Sequence, residues 1–247
     1  MKNRDTWKPS KYVYKHERLA ASRDPREVGV GSRLVSDLIA EIYSNNLQHH
    51  AKGYLLDLGC GKVPLFHAYR DYISDNYCVD WVNTQYKSEH IDLEHDLTKP
   101  LPFQDGEFDT IILSDVLEHL PQPENLFGEM SRVLSSNGKI IMNVPFYYWL
   151  HEQPHDYYRY TQFALRRFVE ISGLKLIQLD TVGGVPEIMT DLFAKTILVV
   201  PKIGRFLSSF AQYLTASFIK TRIGKKLSDR SKDGFPLVYF MVAQKPQ

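Results

Sequence analysis

GYLLDLGCGKVP, residues 53–64, runs from a continuous apolar segment through Asp57 into a turn built on Gly59 and Gly61. A short apolar run bounded by turn residues reads as a buried strand. Glycine has no Cβ, so at a strand-to-helix crossing it lets the backbone approach a ligand, which makes a nucleotide-type site at the carboxyl edge of a sheet. A second apolar run, NYCVD, ends at Asp80, 19 residues beyond Gly61. A carboxylate at that spacing can accept hydrogen bonds from both hydroxyls of a ribose. The spacing suits either a dinucleotide or an adenosyl cofactor. Pro64 stands where a dinucleotide fingerprint wants a third glycine, and proline removes an amide that a phosphate would use.

Outward from this stretch the chain alternates helical and strand periodicities, the pattern of βαβ units. Leu34, Val35, Leu38, Ile39 and Ile42 share a helical face before the first strand. Further strands are read near HIDLEHD, over DTIILSD ending at Asp115, over KIIMNVPF, over LKLIQLD and over PLVYFMVAQ. Leu126, Phe127, Met130, Val133 and Leu134 form a second helical stripe, which Asn137-Gly138 is expected to close. Thr161 is placed to cap a helix carrying Phe163, Leu165, Phe168 and Ile171, stopped by Gly173.

The 247 residues, 43% hydrophobic with 2 Cys, exclude disordered, collagenous and disulfide-scaffold classes. Cys60 and Cys78 lack CxxC spacing and read as reduced, buried thiols. The N-terminus has no apolar stretch of signal-peptide length, so a cytoplasmic location is expected. The net charge of +1 hides an asymmetry: residues 1–33 hold nine basic and four acidic residues (+5), residues 34–185 eleven and 21 (−10), and residues 186–233 nine and four (+5). The expected organisation follows these blocks: a basic N-terminal cap over 1–33, a core over 34–185, a helical basic insertion over 186–233, and a last strand over 234–247.

The order of DLGCG, Asp96-Leu97 and LPFQDGEFDTIILSDVLEHL resembles the class I S-adenosylmethionine-dependent methyltransferases, of the group sharing the DLGCG, LPF, FD and LEH landmarks. The resemblance covers roughly residues 53–180. It implies an α/β, Rossmann-like fold with a seven-stranded mixed sheet sandwiched by helices, and S-adenosyl-L-methionine as cofactor. It places Asp57, Gly59 and Gly61 at the amino-acid end of that cofactor, Asp80 on the ribose, Asp96 and the Leu97 amide on the adenine edge, Trp81 on the adenine face, and Ser114 and Asp115 beside the sulfonium. Val63 stands where this group often has a third glycine. A narrower resemblance, carried by VPFYYWLHEQPHDYYRYT and GGVPEIMTDLFAK, is to methyltransferases of bacterial surface-polysaccharide and glycan-modifying clusters.

The second segment follows the fifth strand, which in this fold is the substrate side. The implied activity is O-methylation of a hydroxylated sugar, glycan or small-molecule acceptor. A hydroxyl needs a base, and His151, His155 and His119 are the candidates. Tyr148, Asp156, Tyr157 and Arg159 are the acceptor-binding candidates, although Arg159 could instead pair with Asp156 or Glu152 to hold the loop. Two other readings stand beside this one: a non-catalytic relative of the fold, and a metal-assisted enzyme using Glu118 and His119 with His155 or His151. No nucleic-acid partner is expected, because no RNA-binding module is recognisable. Within 186–233, Ile203, Phe206, Leu207, Phe210, Leu214, Phe218 and Ile219 recur at helical spacing before Lys220, Arg222, Lys225 and Lys226. That pattern fits a peripheral helix on the inner, anionic face of a membrane, or a lid or homo-oligomer helix whose stripe is buried in protein.

Overall fold

The computed structural model describes residues 1–84 and 88–247. It divides into two compact units, one of Met1–Lys8, Asn46–Asp180 and Tyr239–Gln247, the other of Pro9–Asn45 and Thr181–Val238. In chain order the elements are β1 (Tyr12–Lys15), β2 (Arg18–Ala21), α1 (Arg33–His50), β3 (Tyr54–Leu58), α2 (Phe66–Tyr69), β4 (Asp75–Asp80) and β5 (Leu93–Glu94). There follow β6 (Phe108–Ser114), α3 (Pro123–Val133), β7 (Leu134–Pro145), α4 (Gln162–Ile171), β8 (Lys175–Val182), α5 (Val185–Thr196), α6 (Gly204–Phe218), α7 (Arg222–Ser231) and β9 (Val238–Gln244).

Seven strands form one sheet in the order β5-β4-β3-β6-β7-β9-β8. The pairs β4/β5, β3/β4, β3/β6 and β6/β7 are parallel. β9 runs antiparallel to β7, since Asn137 N–H donates to the Lys245 carbonyl and Lys245 N–H to the Gly138 carbonyl, both at 3.0 Å. The sheet is therefore mixed and Rossmann-like, as expected. β3 is buried at every residue after Tyr54, as a strand covered on both faces must be. Leu56, Leu58, Phe108, Ile111, Leu113, Ile140 and Met142 pack with Phe127, Met130 and Val133 of α3 and Leu165 and Phe168 of α4 in one core. The strand order reverses between β3 and β6, and the crevice at their carboxyl ends is where such sheets bind ligands.

One boundary differs from expectation. α3 ends at Val133, and β7 begins directly at Leu134 rather than at Lys139. Leu134 is wholly buried as the partner of Phe108. Asn137, at φ 64°, lies in an irregular start of the strand. The turn-like Asn137-Gly138 is recruited there by Lys245 of the distant C-terminal segment.

The second unit contains the β1–β2 hairpin, in register Tyr12↔Ala21, and helices α5 to α7. The division at residue 33 expected from charge does not coincide with its limits. Buried Glu187 joins two of its helices: one carboxylate oxygen accepts from the Gly184 amide at 2.9 Å at the start of α5, the other from Ser228 Oγ of α7 at 2.7 Å. In α6 the buried residues are Gly204, Ser208 and Gln212, and Gln212 accepts from the Leu34 amide at 2.8 Å while donating to the Val30 carbonyl at 2.7 Å. Phe206, Phe210, Tyr213 and Leu214 of the same helix are exposed. Among the described residues, no helix is long and apolar enough to cross a membrane. Cys60 and Cys78 are buried free thiols.

Candidate active site

The glycine loop is tied to the neighbouring strand through its backbone. Gly59 and Cys60 both donate to the Val79 carbonyl, at 2.9 and 3.1 Å. Gly59 has φ +67°, and a Cβ there would lie 2.4 Å from Val116 Cγ2, so both its conformation and its contact with the β6 end require glycine. The Gly61 amide donates to Asp80 Oδ2 at 2.7 Å, and Asp80 Oδ1 accepts from Trp81 N–H at 2.7 Å. Val63 adopts φ +52°, which is costly for a β-branched residue and explains why glycine would suit that position. Its carbonyl accepts the Trp7 indole N–H at 3.1 Å, while the Trp7 ring packs edge-on against Phe66 at 5.2 Å. The start of the chain thus braces the loop.

Two buried carboxyls line the loop. Burial pushes Asp57 up to about 7, opposed by the Tyr69 hydroxyl donating at 3.1 Å and reinforced by Asp80. Burial also raises Asp80, against the amides of Trp81 and Gly61. Asp96 is different: Oδ1 accepts from both the amide and the hydroxyl of Thr98, at 2.9 and 2.8 Å, which holds it below the usual range. The Leu97 side chain is in the core. At the end of β6, Ser114 Oγ donates to Asn143 Oδ1 at 2.8 Å, Asn143 Nδ2 donates to Asp115, and the Asp115 amide donates back to the Asn143 carbonyl. Asn143 is wholly buried. It organises both Ser114 and Asp115, yet nothing in its local sequence marks it.

The segment after β7 folds onto the short turn Leu117–His119. The Tyr157 amide donates to the Glu118 carbonyl at 2.9 Å, Tyr160 Oη to the Leu117 carbonyl at 3.0 Å, and Tyr158 Oη to the Pro121 carbonyl at 3.0 Å. Tyr160 is buried, while Tyr147, Trp149, Tyr157 and Tyr158 are exposed. Arg159 grips Asp156 with both terminal nitrogens, at 2.6 and 2.8 Å, and also donates to the Trp149 carbonyl. Burial works against the Asp156 charge, but Arg159 and the His151 amide hold it down to about 2. Arg159 and Asp156 are thus paired with each other, the contact that the loop-holding role requires.

The three histidines separate. His119 and His151 stack edge to face at 4.8 Å, and each Nε2 lies 3.7 Å from Glu118 Oε1. His155 stands apart, its ring edge-on to Trp81 at 5.1 Å and its Nδ1 3.3 Å from Tyr157 Oη. Among the described residues, the grouping that could hold an ion is Glu118, His119 and His151. His155 is not part of it, because its ring turns to Trp81 and its carbonyl, not its ring, meets His119. Of the two histidines expected as the third ligand, His151 rather than His155 is the one brought to Glu118 and His119.

Residues 56–142 match a family model described as a methyltransferase domain. The chain carries a methyltransferase domain and acts as an S-adenosylmethionine-dependent methyltransferase. Its cofactor is S-adenosylmethionine. Solved structures share the fold of this methyltransferase across most of its length. A chain of the complex between the Haloferax volcanii Trm112 methyltransferase activator and a candidate methyltransferase is 18% identical, with a TM-score of 0.58, covering 91% of this chain and 95% of that one. The (4+2)-cyclase SpnF is 15% identical, with a TM-score of 0.56, covering 96% and 87%. An Archaeoglobus fulgidus SAM-dependent methyltransferase is 17% identical, with a TM-score of 0.52, covering 87% and 93%. Comparison with curated proteins returned no match.

The donor set of the methyltransferase fits the cofactor. Asp57 and Asp80 are buried at the carboxyl ends of adjacent strands, and carboxylates suit ribose hydroxyls and a cationic sulfonium where they would repel a pyrophosphate.

Proposed function

We propose that this methyltransferase acts on a hydroxyl oxygen of a sugar or glycan. The carrying observation is the segment 147–160: it is pinned to the turn that follows Ser114 and Asp115 while presenting exposed Tyr147, Trp149 and Tyr157. Flat aromatic faces beside hydrogen-bonding groups are what a sugar ring needs for stacking and orientation. The cofactor supplies an electrophilic methyl group. The protein supplies alignment, since Asp80 and the glycine loop hold one partner and the aromatic segment the other. Asp57, Gly59 and Gly61 serve the amino-acid end, Trp81, Asp96 and the Leu97 amide the adenine, and Ser114 and Asp115 the neighbourhood of the sulfonium. His155 is the imidazole best placed to take the hydroxyl proton, because it stands beside Trp81 and outside the Glu118 cluster. Tyr148 remains an acceptor-side residue, its ring 5.2 Å from that of His151.

The exposed apolar side of α6 and the basic residues of α7 support peripheral contact with an anionic membrane surface, which a lipid-linked glycan acceptor would favour. The test is transfer of labelled methyl from the cofactor to nucleotide sugars and lipid-linked glycans, with calorimetry of cofactor binding in parallel. Label is expected on a sugar hydroxyl, and Asp80→Ala is expected to weaken cofactor binding by at least tenfold. Tight cofactor binding with no transfer to any sugar would overturn the acceptor reading and favour the non-catalytic relative.

A further inference from the structure

Glu118 is fully buried, and among the described residues neither of its carboxylate oxygens has a hydrogen-bond partner. The buried Nε2 of His119 is likewise unsatisfied. Buried polar groups are almost always paired, so three orphaned atoms facing one another need an explanation. The tautomers sharpen the problem. His119 Nδ1 lies 2.8 Å from the His155 carbonyl, which can only accept, so Nδ1 carries the proton and Nε2 presents a lone pair. His151 Nδ1 lies 3.3 Å from both the Trp149 carbonyl and Asp156 Oδ2, again acceptors, so Nδ1 carries a proton and Nε2 is the ring atom left to a ligand. Both Nε2 atoms lie 3.7 Å from Glu118 Oε1, too far for an N–H···O bond. Two imidazole nitrogens and a buried carboxyl group thus converge, with ligand atoms all within 4.8 Å of one another.

We propose that Glu118, His119 and His151 hold a divalent transition-metal ion of the zinc class. Two imidazoles and one carboxylate form a three-ligand set that leaves a position open. The surroundings have the form of a metal site's outer shell: each ring is anchored through Nδ1 on an oxygen, and Asp156 behind His151 is itself clamped by Arg159. Glu152 Oε2, 3.9 Å from His119 Nε2, is within reach as a fourth side chain. An open position on the ion is suited to an acceptor oxygen, a consequence that rests on the proposed reaction, whereas binding of the ion does not.

The test uses untagged full-length protein stripped with chelator and titrated with Zn2+, then with Co2+ as a spectroscopic probe, with no acceptor present. One equivalent is expected to bind at micromolar concentration or tighter, giving cobalt d–d bands and a higher melting temperature. Glu118→Gln and His151→Ala are each expected to weaken binding at least tenfold, and His155→Ala to leave it within twofold. Circular dichroism separates loss of the site from loss of the fold. Absence of binding to the wild-type protein, or binding that survives Glu118→Gln in folded protein, would overturn the proposal. Metal binding without methyl transfer to any sugar would leave this site standing and sink only the acceptor reading.

Discussion

If Asp57 faces the cationic end of the cofactor, as proposed, its ionisation is coupled to cofactor binding. Burial pushes its carboxyl up to about 7, so near neutrality about half of the molecules without cofactor carry a proton there. A cationic group beside it favours the carboxylate. Binding of S-adenosylmethionine is therefore expected to expel roughly half a proton at pH 7 and to weaken as pH falls from 7.5 to 5.5. Calorimetry in two buffers of different ionisation heat measures the release, and Asp57→Asn should remove it. A buffer-independent heat would show that Asp57 does not face positive charge. The stability sign is the reverse of the usual carboxylate: a raised folded value means that stability is fullest below the unfolded value and is lost as pH rises towards 7. Asp57→Asn should accordingly raise the melting temperature of the cofactor-free protein more at pH 7.5 than at pH 5. The positions of Asp57, Gly59, Gly61 and Asp80 were legible because they are set by local turn geometry and two strand ends. Asn143, Tyr69 and Trp7 were not, since each acts on a residue brought near only by the fold.

On the proposed reading, the segment 147–160 sets the acceptor-side geometry. Arg159 does not reach outward; it orders Asp156, and Asp156 orders His151 through the backbone amide at 2.9 Å. A planar guanidinium makes that two-pronged grip and an ammonium does not. Arg159→Lys is thus expected to lower kcat about tenfold or more while cofactor affinity stays within twofold. Were Arg159 an acceptor ligand instead, the acceptor KM would rise with kcat unchanged. Tyr160→Phe leaves the Leu117 carbonyl without its donor, and thermal melts should show a loss of about 1–3 kcal/mol. The strands were legible because β3, β4 and β6 are apolar runs closed by acids or turns. The start of β7 was not, because Asn137-Gly138 has the local chemistry of a turn and is drawn into pairing by a strand end 107 residues later. The acid-base pair inside the segment left two roles open for Arg159, and only its partner distances chose between them.

At the scale of the whole molecule, the near-neutral charge is a sum over parts with different work. The acidic stretch carries Asp57, Asp80 and Asp96, the carboxylates proposed to serve the cofactor, and the basic stretch over 186–233 carries α6 and α7. In α6 the polar Ser208 and Gln212 are inside while Phe206 and Tyr213 are each 68% exposed, the inverse of an ordinary surface helix. Periodicity alone revealed the stripe but not which way it faced, since a 3.6-residue repeat is the same for a core helix and an interfacial one. In α7, Ile223 and Leu227 are exposed alongside Arg222, Lys225 and Lys226. Apolar insertion and cation attraction then act together, each Lys or Arg near an anionic surface adding about 1 kcal/mol. Sedimentation with vesicles is expected to carry the protein down with anionic lipid and not with neutral lipid, and 0.5 M salt should release most of it. Phe206→Ser with Phe210→Ser should abolish binding, and Lys225→Glu with Lys226→Glu should weaken it at least tenfold, without loss of cofactor affinity in either case. Equal binding to neutral vesicles would remove the electrostatic half of the argument. No vesicle binding together with concentration-dependent dimerisation, lost in the Phe206→Ser/Phe210→Ser variant, would assign the α6 face to a second copy of the chain.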